Sequence, residues 1–374
     1  MFLKFIKNAF VLLAATSVAV QPVLAQAIVG DGGVNSPAVV QAANGVDIVQ
    51  INAPNIDGVS HNTYEDFDIG PDGVILNNSN GNYVLTNLGG YIAGNPNVVG
   101  TGPAQIIINE TTSSNPSQID GYIEVGGTRA DVIVANPNGI NCNGCGFINT
   151  DRAVLTTGTP TYTTAGSFEG FNVEQGTIVI GQGGANASGV SQFDLIARNV
   201  TFNGTVQGQR VRVIAGRNNV IFATGDTTAM ADDGSGVGEV AIDSTVFGGM
   251  YANKITIVST NEGAGVTAPR NMAAGAGGMH ISSNGRLVLG RATSQGAGNL
   301  RGKTVVVKKT VRVREALTVE ARERLIVEAD GIIVSDAAAS VSALDGITLE
   351  DNAALYAAQS LGVLSDGDFT LNAG

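Results

Sequence analysis

Near the end of the chain a short pattern recurs at a fixed distance. Leu325-Ile326-Val327-Glu328-Ala329-Asp330-Gly331 is echoed by Ile347-Thr348-Leu349-Glu350-Asp351-Asn352-Ala353, and again by Phe369-Thr370-Leu371-Asn372-Ala373-Gly374, at offsets of 22 and 22 residues. An earlier pair, Phe193 to Ala197 and Val211 to Ala215, repeats at 18. A period near 20 residues with two or three short strands apiece is what a coil of a parallel β-helix requires. Leucine-rich repeats share the period, but their Leu-x-x-Leu-x-Leu-x-x-Asn run is missing. Each coil lays its strands about 4.8 Å from those of the coil below. The expected fold is therefore all-β, a right-handed parallel β-helix (β-solenoid) with an N-terminal β cap. The residues after position 25 could supply at most about 17 coils, a rod up to roughly 80 Å long.

The rest of the chain agrees with that reading. Helical 3.6-residue periodicity is nearly absent, and runs such as Gln105 to Asn109, Tyr122 to Val125, Asp131 to Val134 and Thr177 to Ile180 are bounded by Gly, Asn, Pro or Asp. Such runs read as strands between turns. Composition supports many tight turns: 51 Gly and 33 Asn in 374 residues, with only 14% charged against about 25% in an ordinary domain. Apolar residues at 43% exclude a disordered chain. A net charge of −12 disfavours nucleic acid, whose binding begins with neutralised phosphates.

A solenoid needs caps, because its open end is an unpaired sheet edge. Residues 26–60 break the later spacing, Val46 to Ile51 alternates cleanly, and Pro37 and Pro54 bracket the region, so it reads as the N-terminal cap. The third repeat copy runs to Gly374 with no cap-like sequence, which reads as a rod cut within a longer repetitive protein.

Residues 1–25 read as a signal peptide. Lys4 and Lys7 precede an apolar stretch from Ala9 to Val20, and Val23-Leu24-Ala25 offers a small-residue cleavage site. Gln21-Pro22 interrupts the stretch well short of the ~20 apolar residues a bilayer span needs. Its removal brings the net charge to about −14. Export through an oxidising compartment also governs Cys142 and Cys145, the only cysteines. Zinc wants about four ligands, and His61 and His280 are far off in sequence. Thioredoxin-like chemistry wants a strand-to-helix junction, and Gly and Asn surround this pair instead. A disulfide pinching a tight turn is expected, of modest value to the whole fold because so short a loop restrains little unfolded-state entropy.

Several stretches together carry a family resemblance. They are the signal peptide, Leu76-Asn77-Asn78-Ser79, Asn95-Pro96-Asn97-Val98, Asn115 to Ile123, Asn136-Pro137-Asn138-Gly139-Ile140, Cys142-x-x-Cys145-Gly146-Phe147-Ile148-Asn149 and Arg152 to Gly158. The chain resembles, over roughly residues 30–280, the secretion domain of two-partner secretion exoproteins: filamentous haemagglutinin-like adhesins, haemolysins and contact-dependent inhibition toxins. Val98 stands where many members have Leu. The resemblance implies a signal peptide (1–25), a secretion domain with its cap (26–280) and further rungs (281–374). It implies Sec-dependent export, recognition by a partner outer-membrane β-barrel transporter with periplasmic domains, and folding at the cell surface. It assigns transporter recognition to Asn95, Pro96, Asn97 and Val98 and to Asn136, Pro137, Asn138, Gly139 and Ile140. The product would be secreted or held outside the outer membrane of a Gram-negative cell. Its role would be that of a large haemagglutinin-like adhesin; an inhibition toxin or haemolysin stem is the alternative.

The same residues have a plain reading. Asn before Pro favours a turn, Pro fixes φ, and the following Asn or Gly tolerates positive φ, so shaping turns is the motifs' first expected role. Arg301, Lys303, Lys308, Lys309, Arg312, Arg314, Arg322 and Arg324 hold eight of the 20 basic residues. With Val311 and Val313 alternating, they should line an outer face, a solvated ridge partly neutralised by Glu315, Glu320 and Glu323; the alternative is a sulfated-glycan or lipopolysaccharide site, with host-cell or bacterial surface glycans as partners. Polysaccharide-degrading enzymes also use parallel β-helices. Their chemistry needs clustered carboxylates, and the local candidates are Asp232-Asp233 in a Gly-rich loop and a stacked Asp330 and Asp351. Neither has a partnered base, and Gly275-Ala276-Gly277-Gly278 lacks the Lys-Ser/Thr of a phosphate loop. No enzyme activity, cofactor or metal is expected.

Overall fold

The computed structural model describes residues 27–231 and 240–372, so the signal-peptide reading and Asp232-Asp233 lie outside it. The described chain is a parallel β-solenoid with three faces. One face is an eleven-stranded parallel sheet running from Ser117–Ile119 to Asp368–Leu371, and an isolated bridge from Ile69 to Ile119 starts the turn before it. The second face carries Val74–Asn78, Tyr122–Gly127 and Cys145–Ile148, and the third carries Ile106–Thr111, Ala130–Ala135 and Thr150–Thr156. Later turns merge the second and third faces into long bent strands, such as Gly249–Ser259.

The repeats have the register that their spacing implies. Phe193 pairs with Val211, Leu325 with Ile347, and Ile347 with Phe369. Within each turn alternate residues point inward, so Leu325, Val327, Ile347 and Leu349 join one continuous buried core with their counterparts on other turns. The Asp pair is one residue out. Asp330 lies over Asn352, not Asp351, because the offset is 22; both hold positive φ, and Asn352 Nδ2 donates to Asp330 Oδ1 at 3.3 Å.

The cap is built differently from the rungs. Ala38–Gln41 pairs antiparallel with Asp47–Gln50, which then pairs parallel with Val74–Asn78. Ile28–Gly30 runs antiparallel to Val59–Phe67. Val49 and Ile51 seal the core beneath this hairpin.

The described rod has about 12 turns instead of the 17 allowed by the period, hence roughly 55 Å at the strand spacing. The difference lies in two excursions that the period does not show. Residues 79–104 leave the second face and form a hairpin, Tyr83–Thr86 with Gly90–Ala93. Four antiparallel strands, Thr159–Tyr162, Phe168–Val173, Asn218–Ile221 and Thr227–Ala229, form a separate sheet laid over the third face. Under it, the outward-facing Ile108, Ile133 and Val154 stack in register, Ile196 and Ile214 stack two positions farther along, and Phe171, Val173, Val220 and Phe222 cover both sets. At residue 280 there is no seam, since the strand Asn271–Ser283 runs through it.

Candidate functional site

The two Asn-Pro-Asn motifs sit at different corners of the prism but are built alike. Asn95 is fully buried. Its Oδ1 accepts from the Asn97 N–H at 3.0 Å, capping a single 3-10 turn over Pro96–Val98. Its Nδ2 donates to the carbonyls of Ile51 (2.8 Å) and Asn77 (2.9 Å), tying the cap to the first rung. Val98 fills the core, while Pro96, Asn97 and Val99 face out.

Asn136, also fully buried, turns the chain from the third face to the first. Its Oδ1 accepts from the Asn138 N–H at 2.9 Å, and its Nδ2 donates to Asn115 O (2.9 Å) and Ser117 Oγ (3.0 Å) on the preceding turn. Gly139 takes φ 122°, which favours glycine, and a Cβ there would lie a tight 3.1 Å from Thr177 O. Ile140 is buried; Asn138 is exposed and donates to Ser113 O at 2.8 Å. Turn shaping is thus physically built into both motifs. Of the nine motif residues, the exposed ones are Pro96, Asn97 and Asn138, with Pro137 half-buried.

The next corner holds the disulfide. Cys142 ends a first-face strand and Cys145 begins a second-face strand; their Sγ atoms are bonded, with Cα atoms 5.3 Å apart and both side chains buried. Asn186, in contrast to the motif asparagines, lies in the short strand Ala185–Ala187 and donates to the Tyr122 hydroxyl at 3.0 Å.

Sequence reasoning missed the hairpin before the first motif. Val84 and Ile92 point inward onto Ile48 and Ile75, whereas Tyr83, Leu85 and Tyr91 point outward at 75%, 64% and 77% exposure. Glu124 anchors its tip, accepting from the Asn87 N–H at 2.7 Å and the Leu88 N–H at 2.8 Å. The legible signal was Tyr83-Val84-Leu85-Thr86, a short β-prone run ending at the turn-like Asn87-Leu88-Gly89-Gly90. The four-stranded sheet also escaped notice. Its signal was that Val132 to Ala135 and Ala153 to Leu155 are apolar without alternation, as strands covered on both faces are.

Two charged clusters hold that sheet down. Asp194, fully buried, takes Arg152 Nε at 2.8 Å and Arg212 Nε at 3.0 Å, and the Arg152 guanidinium lies 4.0 Å from the centre of the Phe222 ring. Farther along, His61 Nε2 is 2.7 Å from Glu110 Oε2, and its Nδ1 is 3.2 Å from the Tyr162 hydroxyl. Burial, with Glu110 nearby, pushes the Tyr162 phenol up to about 12.

The basic run behaves as a paired ridge. Val311 and Val313 are buried and Arg312 and Arg314 exposed. Arg301 meets Glu320 at 2.6 Å, Lys303 meets Glu323 at 3.2 Å and Arg312 meets Asp336 at 2.8 Å, each from one turn to the next. Glu315, an expected neutraliser, forms none of these pairs. Gly275 to Gly278 lies within the strand Asn271–Ser283. Among the described residues no three His, Cys, Asp or Glu side chains are grouped to hold a metal ion, and no helix is long and apolar enough to cross a membrane.

Comparison with known proteins places this architecture. A family model described as the TPS secretion domain matches residues 25–289. The chain belongs to the TPS secretion domain family. A crystal structure of the filamentous hemagglutinin secretion domain superposes with a TM-score of 0.60 at 30% identity, covering 93% of this chain and all of that one. Among curated relatives, the tRNA nuclease CdiA-2 of Burkholderia pseudomallei (strain 1026b) is 44% identical over 275 residues, 74% of this chain and 9% of the relative. The 16S rRNA endonuclease CdiA of Enterobacter cloacae subsp. cloacae is 38% identical over 325 residues, 87% and 10% respectively. The chain thus spans about a tenth of the length of these relatives. The TPS domain and the rungs that continue it are the part shared; the nuclease in the relatives' names is said of those proteins.

Proposed function

We propose that this chain is the export-directing domain of a secreted exoprotein, recognised by a partner outer-membrane β-barrel transporter through that barrel's periplasmic domains. The observation that supports it most is the TPS match over a solenoid whose first turns are pinned to the cap by Asn95. In this reading the recognised surface is the exposed rim of the motifs, Pro96, Asn97, Pro137 and Asn138, extended by the outward face of the neighbouring hairpin. The buried motif residues, Asn95, Val98, Asn136, Gly139 and Ile140, act by holding that rim in shape. The first turns then serve as the template on which later turns stack, so folding outside the cell opposes return. The domain carries no catalysis of its own. The exoprotein's role follows the CdiA relatives, which favour the inhibition-toxin alternative over an adhesin. Sec carries the chain to the periplasm, and surface glycans are partners only of the assembled exoprotein.

Surface variants separate recognition from turn shaping. Leu85→Ser with Tyr91→Ser removes exposed apolar side chains and should leave the melting temperature within about 2 °C, the range of surface changes. Binding to the barrel's purified periplasmic domains should weaken at least about tenfold. Unchanged binding by this variant and by Asn97→Ala with Asn138→Ala would show that the rim is not what the transporter reads.

A further inference from the structure

A groove of about 440 Å³ lies where the four-stranded sheet overhangs the third face, between turns carrying Arg210, Lys254 and His280. Arg210 and Lys254 are direct register partners on adjacent parallel strands, so their like charges project side by side. Such pairing is unfavourable unless something neutralises it. The chain has 32 acidic residues against 20 basic, yet among the described residues no Asp or Glu lines this groove. Among the described residues neither side chain forms an ion pair; the one bond of Arg210 is Nε to the Ser191 carbonyl at 3.2 Å. The nearest carboxylate in register, Asp194, is fully buried and shared between Arg152 and Arg212. This contrasts with the ridge at 301–328, where Arg301, Lys303 and Lys308 each meet an acid on the following turn.

The groove's shape adds to its charge. Gly278 follows Lys254 in register, so the next turn places no side chain against the ammonium. Thr224 and Thr227 overhang from the extra sheet, whose position is fixed by Arg212 Nη1 donating to Thr224 O at 2.7 Å. The Thr256 hydroxyl and Gln192 amide complete a polar wall.

We propose that this groove binds a tetrahedral oxyanion ester carried on a sugar-sized, hydroxylated body, with the ester between Arg210 and Lys254 and the body's hydroxyls against Thr224, Thr227 and Gln192. Two cations answer the charge of a phosphate or sulfate ester. The cavity far exceeds a bare ion, which is why a body is included. His280, one turn beyond Thr256, is held below its ordinary range by burial and by Arg301 and Lys254, so it is a neutral hydrogen-bonding group at pH 7.

Calorimetric titration of the full chain with glucose 6-phosphate, glucose 6-sulfate and glucose tests this. At least one ester should bind at a single saturable site and raise the melting temperature in proportion to the logarithm of its concentration, while glucose should not. Tighter binding of the phosphate assigns a phosphorylated glycan as the source, and tighter binding of the sulfate a sulfated one. Arg210→Gln with Lys254→Gln should weaken binding at least about tenfold. Lys309→Gln with Arg324→Gln, which removes the same charge elsewhere, should change it less than about twofold. Binding of neither ester, or equal weakening by the two double variants, overturns the proposal. The ligand-induced shift in the wild-type chain keeps the test valid if a variant folds poorly.

Discussion

Asn136 and Asn138 belong to one motif but live in different surroundings, and the difference sets what each substitution reports. Asn136→Ala removes two donors and an acceptor from a buried corner, leaving the Asn138 N–H and the Asn115 carbonyl without their partner. That should lower stability by about 2–4 kcal/mol in a denaturant titration. Asn186→Ala loses only exposed bonds, one to the Tyr122 hydroxyl and two from Ser188, and should cost under about 1 kcal/mol. Lower secretion of Asn136→Ala alone would therefore reflect folding as readily as recognition, whereas the exposed Asn97 and Asn138 report on the surface once the loss of their bonds to Ile51 O (3.1 Å) and Ser113 O (2.8 Å) is read separately as a change in melting temperature. Asp68 offers a pH test. Burial, and then the neighbouring Asp66 and Asp120, raise its carboxyl above the usual range, against the opposing hydrogen bond from the Gln118 N–H at 2.7 Å. A raised folded pKa means the folded state holds the proton longer, so this group adds stability as pH falls through that pKa and loses it as pH rises. Asp68→Asn keeps an acceptor for Gln118. It should melt higher than wild type at pH 7.5, with the advantage vanishing toward pH 4; an advantage that grows on acidification would contradict the assignment.

Among elements, the rungs were legible and the additions to them were not. A strand repeating every 18 or 22 residues announces itself, because each turn must set its inward residues above those of the last. The hairpin at 83–93 and the four-stranded sheet obey no such constraint, since each is a local antiparallel unit inserted at a corner. They reveal themselves only indirectly, through outward residues such as Ile133 and Val154 that a bare rod would leave wet. The motifs were legible as turns; that their first Asn is fully buried follows from stacking and was not readable. The sheet's attachment rests on Asp194. Asp194→Asn leaves Arg152 and Arg212 without their shared carboxylate, and should destabilise by about 3–5 kcal/mol. Hydrogen exchange should show the loss concentrated in residues 159–173 and 218–229; uniform loosening would argue against an attached layer. The disulfide is a corner device of another kind. Cys142→Ser with Cys145→Ser opens a very short loop worth about 2 kcal/mol at most, so the variant should keep its β-structure by circular dichroism with a lower melting temperature.

The whole molecule behaves as a one-dimensional stack, in which the cap and first turns provide the template and each later turn adds a similar increment. Excursions placed in the TPS region, over residues 79–104, 157–176 and 216–231, distinguish the first turns from the plain rungs after residue 284. That asymmetry suits a molecule whose beginning is read by a partner and whose continuation only needs to stack. The rod was legible in sequence, but its length was not, because the excursions use residues that the period would have assigned to coils. The direct measurement is export itself. The chain with its N-terminal segment should be produced in cells with and without the cognate barrel, and the medium assayed for folded, protease-resistant protein. The account predicts protein in the medium only when the barrel is present; equal amounts without the barrel would contradict it.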